Sequence, residues 1–173
     1  MEFSELLLSR RSCRRYRVCA PVSRETLSAV LADTVLAPSW KNTETARYYA
    51  ALSADAADAV RAALPDFNVD STQNAAAYVV TTFVRGVSGK IGDASNDKWG
   101  AYDCGLQAAY FVLSARAHGL DSLIMGLYDE KALRTLFAIP ENEEVMSVIA
   151  LGQAADVPAL RPRKTPAEVS KVK

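Results

Sequence analysis

The stretch from Cys104 to Ala117 constrains this chain more than any other: it lies in a helical pattern running from Trp99 to His118, yet only Gln107, Ser114 and Arg116 in it are strongly polar. A helix apolar nearly all round has no face to give to water and is buried on most sides. At 173 residues the chain is near the size of one ordinary domain, so a single domain over residues 1–173 is expected, with few layers of its own to enclose such a helix. A partner chain is the simpler solution. Gly105, Ala108 and Ala109 are small enough for close helix approach, which fits a symmetric two-fold contact built on this helix. The alternative is a helix central to one subunit.

The remaining pattern surrounds that helix with short elements. Helices are expected over 2–10, over 24–34 with Ser23 as N-cap, and over the alanine-rich 54–64 stopped by Pro65. Strands are expected at RYYAAL (47–52), AYVVTTFV (77–84), DSLIMG (121–126) and EEVMSVIALG (143–152), with a further helix at DEKALRTLF (129–137). Gly119 sits where a left-handed cap would end the long helix. The order α, α, β, α, β, α, β, α, β argues for a mixed sheet with helices on its faces, without giving the strand order. Residues 85–98 hold three glycines and little apolar character, and are long enough to suspect a mobile lid over a site.

Charge excludes several functions. Lys plus Arg equals Asp plus Glu at 20 each, so no overall field draws the chain to nucleic acid or to an anionic membrane. The N-terminal stretch does not read as a signal peptide and no apolar run is long enough to span a bilayer, which makes the cytoplasm the default location. Cys13, Cys19 and Cys104 contain no CxxC pair, and neither a disulfide framework nor a zinc site is suggested. Cys13 lies among arginines that could lower its pKa, but the simpler reading is an ordinary reduced thiol. His118 is the only histidine; it suits a helix C-terminus better than catalysis, and no metal site is expected. With so few acid-base groups, an enzyme built on this chain would leave the chemistry to a cofactor.

Three segments could hold one. In Arg10-Arg11-Ser12-Cys13-Arg14-Arg15-Tyr16-Arg17, extended backbone would put Arg10, Ser12 and Arg14 on one side as an anion clamp, since planar guanidinium forks bind two phosphate oxygens at once. The same run also suits a solvated basic segment after a helix end. In Leu160-Arg161-Pro162-Arg163-Lys164, Pro162 restricts Arg161 to extended geometry, so Arg161 and Arg163 project alike; a basic tail has the same composition. The turn Ala37-Pro38-Ser39-Trp40-Lys41-Asn42 offers a hydroxyl, an amide and an indole, groups that can meet the polar edge of a planar heterocycle. The indole could equally plug a neighbouring core.

Taken together, these motifs resemble the FMN-dependent nitroreductase family, specifically its short members, along nearly the whole chain. The RRS-x-R motif at 10–14, the APS-x-x-N loop at 37–42, DCGLQAAYFVLSARAHGL at 103–120, Met125-Gly126 and the late ALG followed by RPR carry the resemblance. It implies an α+β homodimer with FMN at the subunit interface and the long helix at that interface. Arg10, Ser12, Arg161 and Arg163 would hold the phosphate and ribityl end. Arg14 would sit near the N1 and C2 carbonyl edge, and Arg11 would contribute mainly backbone. Pro38, Ser39, Trp40 and Asn42 would reach the flavin from the partner subunit, with Met125 and Gly126 against the ring near N5. The implied activity is ping-pong hydride transfer from NADH or NADPH to flavin N5 and on to a nitroaromatic, quinone or similar small-molecule acceptor.

The chain departs from that pattern where many relatives continue after the Asn with x-Gln-Pro-Trp. Here Thr43-Glu44-Thr45-Ala46 follows, and Glu44 would put a carboxylate near the pocket mouth or into solvent. Trp99 and Tyr102 would be aromatic walls or core residues. Other readings are a flavin enzyme of the same fold with another reaction, such as reductive dehalogenation, and a non-catalytic nucleic-acid-binding module using 10–17.

Overall fold

The computed structural model describes residues 2–92, 94 and 96–173. Its helices are α1 (Phe3–Ser9), α2 (Arg24–Thr34), α3 (Ala54–Ala62), α4 (Asp66–Ser71), α5 (Lys98–Ala117), α6 (Glu130–Phe137) and α7 (Pro166–Val169). The strands are β1 (Tyr16–Arg17), β2 (Ala46–Ala51), β3 (Ala77–Val84), β4 (Asp121–Met125) and β5 (Glu143–Ala154). All the strands pair antiparallel: β3 lies between β2 and β5, while β4 and the two-residue β1 also pair with β5. A parallel component appears as the isolated bridge between Ser12 and Ser122. The α+β class expected from the sequence is the one observed.

The sheet is covered on both faces, which explains why β3 is nearly continuous in apolar character rather than alternating. Tyr78 and Val80 of β3, with Val148 and Ala150 of β5, face a core completed by Ala57 and Val60 of α3 and Leu133 of α6. Their neighbours Ala77, Val79, Ile149 and Leu151 face the opposite core, made with Leu27 and Val30 of α2 and Phe111, Val112 and Ala115 of α5. Strand periodicity of two sends alternate residues to the two cores. At its N-terminal end α5 approaches the sheet so closely that a Cβ on Gly100 would lie 2.4 Å from the Phe83 ring.

Local chemistry accounts for the boundaries. Ser23 caps α2 by accepting from the Thr26 N–H at 3.1 Å, and Asp129 does the same for Ala132 of α6 at 3.0 Å. Gly119 takes φ 79°; its N–H bonds the Arg116 carbonyl at 3.1 Å and the Leu120 N–H bonds that of Ala115 at 2.8 Å, a Schellman end for α5. Two short helices go beyond the sequence expectation. Pro65 stops α3 as expected but also starts α4, its carbonyl accepting from Asn68 and Val69 at 2.8 and 3.0 Å. Thr165 and Glu168 form a capping box at α7.

One face of α5 is bare in the single chain. Asp103, Cys104, Gln107, Phe111, Val112 and Ala115 turn inward, whereas Tyr102, Gly105, Ala109 and Tyr110 are exposed. The burial on most sides expected of this helix is therefore only partly reached within the single chain. The 85–98 connection folds back on itself, the Gly86 N–H donating to Asp97 Oδ1 at 2.7 Å; within the suspected lid, Asp93 and Ser95 lie outside the described residues.

Candidate functional site

After α1 the chain turns extended at Arg10, with φ −67° and ψ 131°, and attaches to the sheet edge by the Cys13 N–H, which donates to the Ser122 carbonyl at 2.9 Å. Cys13 and Tyr16 point into the core while Ser12 and Arg14 are exposed. The chain's other end returns to the same place. The Ala155 N–H bonds the Arg15 carbonyl at 2.8 Å and the Arg15 guanidinium pairs with Asp156 at 2.9 Å, so the segment following β5 starts beside residues 10–17. The result is a cleft of about 490 Å³ lined by Arg10, Arg11, Ser12 and Arg14 from one end of the chain and by residues 158–163, including Arg161 and Arg163, from the other.

The charge in this cleft is one-signed. Arg10, Arg11, Arg14, Arg161 and Arg163 line it with no carboxylate among the lining residues, and none of the five forms an ion pair among the described residues. Like charges gathered without a counter-charge repel, so the arrangement favours an anion. The Arg11 side chain is largely committed elsewhere: it donates to the Leu8 carbonyl and, at 2.8 Å, to that of Arg10. Its Nε is buried and has no hydrogen-bond partner.

The Pro38–Asn42 turn lies outside this cleft and is built on α5 instead. Trp40 to Asn42 form a 3-10 turn whose first N–H, that of Trp40, donates to Asp103 at 3.1 and 3.0 Å to its two oxygens. Asp103 is 1% exposed and also accepts from the Ser88 hydroxyl at 2.7 Å. Ser39 Oγ accepts from the Glu44 N–H at 3.1 Å, and the Asn42 amide donates to Glu44 Oε1 at 2.9 Å. The unfamiliar Glu44 is thus an internal brace of the turn. Lys41, Asn42 and Glu44 all have left-handed backbone, at φ 48°, 56° and 48°, and the Lys41 ammonium sits 4.6 Å from the centre of the Trp40 ring.

Met125 is buried at the end of β4, in the same core as Cys13 and Tyr16, and Gly126 follows it with open space where a Cβ would stand. Trp99 and Tyr102 meet edge-to-face at 5.6 Å and are 43% and 58% exposed, so neither is a core residue of this chain. His118 is the C-cap residue of α5, and its Nε2 lies 3.7 Å from Asp33 Oδ2. Burial raises the Cys13 thiol above its ordinary value, opposite to the lowering that neighbouring arginines could give. Burial also pushes the Cys104 thiol up to about 11. Sequence reasoning missed Asp103 and Ser88. The available signal was a carboxylate opening a nearly uncharged helical run.

A family model described as the nitroreductase family matches residues 7–153. An Archaeoglobus fulgidus protein, provisionally named NADH dehydrogenase/NAD(P)H nitroreductase, is 29% identical over 159 residues, covering 90% of this chain and 87% of that protein. In fold, the chain is similar to the crystal structure of an Exiguobacterium sibiricum protein provisionally described as a nitroreductase in complex with FMN, with a TM-score of 0.88 at 18% identity over 100% of this chain and 98% of the other. A Staphylococcus epidermidis protein, provisionally described as an NAD(P)H:FMN oxidoreductase, gives 0.87 at 17% identity, covering 99% and 96%.

Proposed function

The chain belongs to the nitroreductase family, and from that premise we propose that it is an FMN-dependent NAD(P)H oxidoreductase for a nitroaromatic, quinone or similar small acceptor, the whole chain forming one flavin-binding unit. The carrying observation is the cleft in which Arg10, Arg14, Arg161 and Arg163 meet without a carboxylate. Its donors fit FMN: guanidinium forks suit the oxygens of a phosphate dianion, and Ser12 adds a hydroxyl.

Within this reading, Arg10, Ser12, Arg161 and Arg163 hold the phosphate and ribityl end. Arg11 contributes backbone, since its side chain is bound to the carbonyls at the end of α1. Arg14 would stand at the N1 and C2 carbonyl edge, where a cation lowers the energy of negative charge. Met125 and Gly126 back the ring. Bound FMN would supply the redox chemistry, accepting hydride equivalents from NAD(P)H and passing electrons to the acceptor in a ping-pong cycle. The protein's share is orientation and exclusion of water, which needs no strong base.

Pro38, Ser39, Trp40 and Asn42 act across a homodimer. Two observations support this: the turn carrying them lies outside the arginine cleft of its own chain, and the exposed α5 stripe of Tyr102, Gly105, Ala109 and Tyr110 matches a closely packed helix contact. The test is direct. The purified chain should be yellow, with a flavin spectrum that NADH or NADPH bleaches without oxygen. A protein that neither retains nor rebinds FMN would refute the reading.

A further inference from the structure

We propose that Asp103 and Ser88 are positioning residues for the flavin: they set the backbone of the Trp40 turn that a second subunit's cofactor would meet. The inference rests on the reading above, in which Trp40 and Asn42 reach the flavin. It begins from strain. Lys41, Asn42 and Glu44 hold left-handed backbone at φ 48°, 56° and 48° although none is glycine, and such conformations persist only where the surroundings over-determine them.

Bonds within the turn brace these residues, and one buried carboxylate ties the braced turn to α5. Asp103 is 1% exposed, forms no ion pair among the described residues, and presents its two oxygens to the Trp40 N–H at 3.1 and 3.0 Å. An unpaired buried carboxylate is costly, so hydrophobic packing does not explain it; its charge strengthens each hydrogen bond it accepts. Ser88, also 1% exposed, gives its hydroxyl hydrogen to Asp103 at 2.7 Å. Ser88 Oγ also lies 2.8 Å from Thr43 Oγ1 and 3.3 Å from Thr45 Oγ1, and the Thr43 hydroxyl donates to the Trp40 carbonyl at 2.8 Å, so the serine stands among side chains that hold the same turn.

Three elements therefore share one fixed point: the strained turn, the connection after β3 and helix α5. Because α5 also presents the exposed stripe assigned to the dimer contact, the turn is referenced to the interface helix itself. A shift of the turn relative to α5 becomes a shift of Trp40 relative to the neighbouring subunit's cleft. Such geometry matters at the scale of about 1 Å.

FMN affinity, flavin circular dichroism and thermal midpoint decide the matter for the reconstituted full chain and its Trp40→Ala, Asp103→Asn, Ser88→Ala and Trp40→Ala/Asp103→Asn variants. Asp103→Asn and Ser88→Ala should each weaken FMN by about tenfold and change the flavin dichroism in the same sense as Trp40→Ala. The double variant should be no worse than Trp40→Ala alone, because both changes act through one contact. If Trp40→Ala disturbs the flavin while Asp103→Asn and Ser88→Ala bind it as the parent does, losing at most thermal stability, positioning is overturned and the flavin reading stands. If Trp40→Ala itself leaves the flavin untouched, the Trp40 turn does not reach the cofactor and positioning is overturned, while FMN binding by the arginine cleft stands or falls on the parent's own titration. Should Asp103→Asn not fold, Ser88→Ala decides alone.

Discussion

Arg15 and Asp156, 141 positions apart in the chain, meet at 2.9 Å and join the N-terminal arginine segment to the C-terminal one. The pair is exposed on both sides, with 76% and 52% of each side chain accessible, so its own energy is small, about 0–1 kcal/mol. Its consequence is registry. With the Ala155 N–H on the Arg15 carbonyl, it sets where the strand exit lies and hence where Arg161 and Arg163 can reach.

Asp156→Asn should therefore leave the thermal midpoint almost unchanged while raising the FMN dissociation constant by roughly two- to fivefold at low salt, the most an exposed pair can contribute. Repeating the titration at about 0.5 M salt should shrink the difference, because screening already weakens the parent's ion pair. A large loss of stability would show that the pair holds the fold rather than the register.

Arg14→Ala should weaken FMN retention and, in the fully loaded variant, lower the flavin potential by on the order of 30–60 mV, the effect of a cation about 6 Å away at an effective dielectric of about 20. Redox titration against a reference dye measures this. An unchanged potential would place Arg14 away from the ring.

Two glycines of α5 should respond oppositely to the same change. A Cβ on Gly100 would meet the Phe83 ring at 2.4 Å, so Gly100→Ala should destabilise by about 1–3 kcal/mol despite alanine's better helix propensity. Gly105 has open space around it within the subunit. In a monomer Gly105→Ala would stabilise by about 1 kcal/mol, but in the proposed dimer it should weaken association, which sedimentation detects as a concentration-dependent loss of dimer.

Much of this arrangement is legible in the sequence, and the exceptions have physical causes. Ser23 and Gly119 announce helix ends because their side chain, or lack of one, solves a local backbone problem. AYVVTTFV announces a strand because its residues suit a pleated, buried surface. The convergence of Arg10 and Arg14 with Arg161 and Arg163 could be suggested from residue type, but only the pairing of Ala155 with Arg15 and of Ser12 with Ser122 brings the ends together. Helix α4 was hidden because Asp66–Ser71 is short and rich in residues that favour turns. Asp103 was hidden because one carboxylate in a helix is ordinary until Trp40 and Ser88, distant in sequence, are seen to close around it. The bond from Asn42 to Glu44 likewise depends on left-handed backbone that no residue type there demands.

Stability should fall on the alkaline side. The folded Cys104 thiol titrates at about 11 against an ordinary 9.0, mainly through burial. Between those values the unfolded chain has lost a proton that the folded chain keeps, so stability present below pH 9 declines as pH rises toward 11, by up to roughly 3 kcal/mol. Relative to the parent, Cys104→Ala should flatten the decline of urea midpoints across that window. An equally steep decline would assign it to other groups.

The account depends most on guanidinium groups from both ends of the chain gripping one phosphate, and paired titrations of the apoprotein with FMN and riboflavin test this most directly. The parent should bind FMN at least about 100-fold more tightly, as several charge-assisted hydrogen bonds allow, and Arg161→Ala/Arg163→Ala should lose most of that preference while binding riboflavin as before. Equal affinity of the parent for the two flavins, or a preference that survives loss of both C-terminal arginines, would contradict it.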